Sequence, residues 1–97
     1  MTRFVLSTTL GSTPQQDEDF ARLLKAEYPD AGWWHQLSET WLIVDPSDKM
    51  TTSALRDLAR RAFPGIHLMV VPAMRGWAGF GNAENMFPWM RQYWNRD

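Results

Sequence analysis

The chain carries two histidines, His35 and His67, and no cysteine. Imidazole suits proton transfer near neutral pH and metal ligation. Thiolate zinc sites and disulfides are excluded. Asp45-Pro46-Ser47-Asp48 sets two carboxylates around a proline. Such a pair could hold Mg²⁺. The same composition also makes turns, in which an aspartate binds backbone amides a few residues on, and the turn is the favoured reading. Ser7, Thr8, Thr9 and Ser12 supply hydroxyls. No histidine is evidently placed to activate one, so a nucleophilic triad is not expected.

Cations and aromatics offer binding chemistry. Arg56 and Arg60 are four apart on a helical pattern and share a face that could meet phosphates. Asp57 has the same spacing to Arg61, which blunts the patch, so a solvated face is favoured. Arg75-Gly76-Trp77-Ala78-Gly79-Phe80-Gly81 interleaves an arginine, two large aromatics and glycines. Trp77 and Phe80 could stack on bases or anchor a protein partner. Alternatively, both rings tuck into the core and the glycines permit the turns. The run lacks the lysine of a phosphate loop and the spacing of a dinucleotide fingerprint.

The elements that must position these groups follow from periodicity and punctuation. Arg3 to Leu10 reads as a strand ended by Gly11. Thr13, Pro14 and Gln16 have the types and spacing of a helix N-cap, first helical residue and capping box. Phe20, Leu23, Leu24 and Tyr28 then make one apolar helical stripe. Trp33–Leu37 and Thr40–Asp45 read as a hairpin about a turn at Ser38-Glu39. The stretch Gly32–Asp45 holds three of the six tryptophans. Thr52 or Ser53 caps a second helix striped by Leu55, Leu58, Ala59 and Ala62, stopped by Pro64-Gly65. Ile66–Val71 is a strand closed by Pro72. Ala73–Ala83 is a glycine-rich loop. A last helix starts between Glu84 and Pro88, with Met86, Met90 and Tyr93 on one side and Phe87 and Trp94 on another.

The order β-α-β-β-α-β followed by a helix predicts an α+β, ferredoxin-like domain over residues 1–97 with an additional C-terminal helix. Strands one and three are central in this pattern. The histidines then fall on opposite edge strands, about 14 Å apart, and cannot share a metal. Helices on one face should leave strands that alternate apolar and polar. Here Leu42 and Val44 oppose Trp41 and Ile43, and Met69 and Val71 oppose Leu68 and Val70. The far face is therefore apolar too and needs a cover, either the terminal helix or a second subunit. A homodimer is the favoured expectation.

Bulk properties bound the function. Ninety-seven residues fit one domain. No apolar run reaches the roughly 18 residues of a membrane span, and the N-terminal stretch is too polar for a signal peptide. A cytoplasmic location is expected. Net charge is −1, without the basic excess of a protein that holds nucleic acid through phosphates. No cofactor is expected.

Several local patterns carry a resemblance: Trp33-Trp34-His35, Thr40-Trp41-Leu42-Ile43-Val44, Ser53-Ala54-Leu55-Arg56-Asp57-Leu58, and Gly76-Trp77-Ala78-Gly79-Phe80 before a tryptophan-containing terminal helix. They resemble the SinR-type family of small proteins classed next to CRISPR-associated protein two, which is distinct from the sporulation repressor of the same name. The resemblance covers most of the chain from Gly32 onward. It implies the fold derived above and dimerisation. Better-known relatives are linked to metal-dependent nuclease activity or to scaffolding on nucleic acid, with an Asp at the end of the first strand holding the metal. Here that region is Ser7-Thr8-Thr9-Leu10, with no carboxylate.

The expectation is therefore a non-catalytic interaction protein, a homodimer with a protein partner, acting as an adaptor or inhibitor of the kind phages and mobile elements carry. Arg75, Trp77, Phe80, Arg56 and Arg60 are its candidate binding residues. The alternatives are a metal-dependent nuclease with a displaced carboxylate such as Asp45, and a nucleic-acid-binding module using the helix arginines and the Trp77 loop.

Overall fold

A computed structural model describes residues 1–9, 11–81 and 85–96. Leu10, Ala83 and Glu84, which bound the first strand, the glycine-rich loop and the last helix in the sequence reading, lie outside the described residues. The element order is β1 (Thr2–Thr8), α1 (Pro14–Glu27), β2 (Gly32–Leu37), β3 (Thr40–Asp45), α2 (Thr52–Ala62), β4 (Leu68–Ala73) and α3 (Met86–Trp89). A π-helical turn over Met90–Trp94 continues α3. The strands form one antiparallel sheet in the order β2-β3-β1-β4, the ferredoxin-like arrangement.

Local signals explain the ends of α1. The Thr13 hydroxyl accepts from the Gln16 amide at 3.1 Å, and the Gln16 side chain accepts from the Thr13 amide at 2.9 Å. Two donors that the helix cannot satisfy internally are thereby paired. In α2 the cap is Thr51, one residue before the expected position, with its hydroxyl accepting from Ala54 at 3.1 Å. Thr51 is extended and so can cap, whereas Thr52 is already helical.

β4 is displaced two residues from its expected span at both ends. Gly65 has a φ of +79° and the Ile66 amide bonds back to Phe63 at 3.1 Å, so the chain is still turning there. At the far end Pro72 does not close the strand. β4 is an edge, and a proline is tolerated where its missing N–H would face outward.

The helix face of the sheet holds the main core. Trp41 and Ile43 of β3 and Phe4 and Leu6 of β1 are buried under Phe20, Leu24, Leu55, Leu58 and Phe63. Phe20 meets the Trp41 ring edge-on at 4.9 Å, a favoured aromatic geometry. The other face has its own cluster, built on Val44, Met90 and Trp94. The terminal helix therefore covers part of this second apolar face. Met90 and Trp94 are buried together rather than on separate sides of the helix. They lie four residues apart, about one turn of either an α- or a π-helix, so both point at the sheet.

Candidate functional site

The covered face carries a groove. The sheet residues Val5, Trp34 and Leu42, the terminal-helix residues Met86, Met90 and Trp94, and Trp77 of the loop after β4 line it. Its volume is about 390 Å³, within the range that receives small molecules or anchor side chains. Its other lining residues are Leu37, Ala73, Met74, Gly76, Ala78, Gly79 and Phe80. None of these residues is titratable or bears a hydroxyl. The groove can bind apolar groups but cannot move a proton with its own side chains.

The loop after β4 is stitched to the terminal helix. The Arg75 guanidinium donates through Nε and Nη2 to the Asn95 carbonyl at 3.1 and 2.8 Å. Trp77 Nε1 donates to Asn95 Oδ1 at 3.0 Å, and Trp94 Nε1 to the Arg75 carbonyl at 3.1 Å. Gly79 permits close approach, since a Cβ there would lie 3.2 Å from Met86 Cε. Gly81 has a φ of +105°, which disfavours any side chain. The two aromatics of the loop have different fates. Trp77 is half-buried and packs against Phe87 at 5.9 Å. Phe80 is 101% exposed at the rim of the groove, so the expectation that both rings tuck inward holds for Trp77 alone. Met74, 85% exposed, stands on the same rim.

The predicted binding residues are thus not one site. Arg75, Trp77 and Phe80 lie with the groove, whereas Arg56 and Arg60 are exposed on α2, on the opposite side of the sheet. Asp57 pairs with its neighbour Arg56 at 2.9 Å rather than with Arg61. The hydrogen bond from Arg56 holds the Asp57 carboxyl below its usual range.

Asp45 takes the turn role. Only 1% exposed, it accepts from the Ser47 amide at 3.1 Å through Oδ1, and from the Lys49 and Met50 amides at 2.7 Å through Oδ2. Asp48 adopts a φ of +56° and reaches the first two residues of the chain. It accepts from the Thr2 hydroxyl at 2.6 Å and from the Met1 ammonium at 3.3 Å. Those two contacts, the first the larger, lower the Asp48 carboxyl from its ordinary value.

Sequence reasoning missed a polar cluster on the helix face. His35 stacks on Trp41, its Nδ1 lies 2.8 Å from the Thr40 carbonyl, and its Nε2 lies 3.6 Å from Asp17 Oδ2. Nδ1 must be the donor to a carbonyl, so only an imidazolium could also donate to Asp17. Asp17 and His35 are 18 positions apart, and no local spacing links them. The available signal was an acid in the first turns of α1 facing the same side of the sheet as alternate residues of β2. His67 sits at the opposite edge, just before β4, hydrogen-bonded through its backbone to Thr9. Among the described residues no three histidine or carboxylate side chains converge on one point.

No family model, curated protein or solved structure matches this chain. Among the described residues no helix is long and apolar enough to cross a membrane.

Proposed function

We propose that this chain is a small non-catalytic interaction protein that works in the cytoplasm as a homodimeric adaptor or inhibitor, and that its groove takes an apolar segment of a protein partner. The observation that carries the reading is Phe80, fully exposed at the rim of a groove lined by aromatic, aliphatic and methionine side chains. Aromatic residues beside a preformed apolar pocket are typical anchors of protein interfaces. Methionines let such a surface adapt to the partner. The ring of indole and guanidinium hydrogen bonds to Asn95 and Arg75 holds the groove wall in place before anything binds.

The test is an NMR titration with short peptides bearing Leu, Phe or Trp anchors, alongside Ser/Gly peptides of equal length. Saturable shifts of the Trp34, Trp77 and Trp94 indole resonances are expected with the apolar peptides only. Phe80→Ala should weaken the response, and Leu42→Trp, which fills the groove, should abolish it. Absence of saturable shifts with every apolar peptide sinks the reading.

A further inference from the structure

We infer that two copies of this chain join along the β4 edge, antiparallel about a two-fold axis, into one continuous sheet. The inference rests on the homodimer in the reading above and assigns its seam. It follows from the direction of the backbone groups. The Thr8 amide donates to the Glu39 carbonyl on the β3 side, and the Thr9 amide donates to the His67 carbonyl on the β4 side, both at 2.9 Å. Along β1, then, the even-numbered amides face β3 and the odd-numbered ones face β4. The register pairs Ser7 with Met69, Val5 with Val71 and Arg3 with Ala73. Those are the hydrogen-bonded pairs, so Leu68, Val70 and Pro72 turn their backbone groups outward from the sheet.

This outward row is self-complementary, and a register centred on Val70 shows how its donors pair. With Val70 opposite its own copy, each Val70 amide meets the other Val70 carbonyl. Leu68 then stands opposite Pro72, and each Leu68 amide meets a Pro72 carbonyl. Every outward N–H of the strand finds an acceptor, and the N–H that Pro72 lacks is not needed. The proline excludes one register: centred two residues on, two prolines would face each other with no donor. A closed two-fold contact requires the same patch on both copies, which this row supplies.

The flanking side chains agree. In the Val70-centred register Met69 lies opposite Val71 of the second copy, and these side chains are 65% and 42% exposed. β4 carries no charged residue and no register shift along the pairs from Arg3–Ala73 to Thr8–Leu68. Natural sheets blunt unpaired edges with charges, prolines or bulges; the other edge has a shift between Trp34 and Leu37 of β2, while β4 has Pro72 alone. Arg56 borders the β4 edge beside Thr52 and Ser53. Its bond to Asp57 offsets the like charge that a second copy would bring.

Val70→Pro tests the seam directly. It deletes an outward N–H of the seam and leaves every bond to β1 intact. Light scattering should give the mass of two chains for the wild type and for Phe80→Ala, and of one chain for Val70→Pro. Met69→Lys, which adds an exposed charge at the seam without touching the backbone, should also shift to one chain. Hydrogen exchange on the wild type should show the Leu68 and Val70 amides slowing as concentration rises. This readout holds even if Val70→Pro fails to fold. A two-chain mass that survives both substitutions, or Val70 amides that exchange fast in a two-chain particle, overturns the seam and leaves the homodimer standing. A one-chain wild type at every concentration overturns both, while the groove is judged by the peptide titration alone.

Discussion

The His35 imidazole lies flat on the Trp41 indole, with ring centroids 4.1 Å apart and planes within 4° of parallel. Trp41 is the hub of the helix-side core, touched edge-on by Phe20. His35 thus caps that core at the β2 edge while its nitrogens face Thr40 and Asp17. Removing the ring takes away an aromatic stack, worth about 1 kcal/mol, and a hydrogen bond of similar size. His35→Ala should destabilise by about 2 kcal/mol in denaturant unfolding, and His35→Phe, which restores the stack alone, by about half as much. Equal losses for the two variants would deny the stack any role.

Asp45 organises the connection from β3 to α2. Its carboxylate accepts three backbone amides, including the buried Met50 amide. Asp45→Ala leaves those donors without their partner, and the cost should be about 3 kcal/mol or more. Asp45→Asn keeps one acceptor oxygen and should cost less. Urea midpoints of the two variants check the order. The same substitutions bear on the nuclease alternative, for which a carboxylate held this way is poorly available to a metal.

Arg3 determines how firmly the terminal segment is held. The side chain is largely buried on the open face, and it donates to the Trp94 carbonyl at 2.7 Å and the Arg96 carbonyl at 2.8 Å. A guanidinium on the last carbonyls of a helix stabilises it both as a donor and as a charge at the negative end of the dipole. Arg3→Met keeps an apolar stem and removes both bonds. Hydrogen exchange should quicken over residues 90–96 by an amount corresponding to about 2 kcal/mol, while the amides of α1 and α2 stay protected. Uniform loss of protection would mean that the terminal helix does not open separately.

The Asp48 tether has a defined pH dependence. Its carboxyl is lowered in the folded chain, first by the Thr2 hydroxyl and then by the N-terminal ammonium. A carboxyl more acidic when folded than when unfolded adds stability above the unfolded value, and the gain disappears as pH falls through the folded value. Wild type should exceed Asp48→Asn in melting temperature at neutral pH, and the gap should close only on acidification below the ordinary aspartate range. Asn tolerates the positive φ of this position, so the comparison isolates the charge. A gap that persists at the lowest pH would assign the effect to geometry.

The architecture was legible where a local rule and a tertiary demand coincide. Thr13, Pro14 and Gln16 cap α1 because the unpaired amides of a first turn need partners wherever the helix is placed. Leu55, Leu58, Ala59 and Ala62 face the core because helical period and burial agree. Asp45 takes the turn chemistry that its Asp-Pro-Ser-Asp context suggests. Boundaries failed where long-range placement changed the local rule. Pro72 stays within β4 only because that strand is an edge and the missing N–H faces away from β1.

The candidate site was half legible. Residue types drew attention to Arg75, Trp77 and Phe80, but their sequence could not say which ring packs and which is left out. Trp77 is drawn in by its hydrogen bond to Asn95, 18 residues on, while Phe80 is left at the rim. By itself, then, the sequence determined the elements, their order and two apolar faces, because periodicity and capping are local. Only the tertiary structure decided what covers the second face, where the groove opens, that Asp17 meets His35, and which backbone groups of β4 point outward. Those relationships arise between residues distant in the chain, and no spacing along it encodes them.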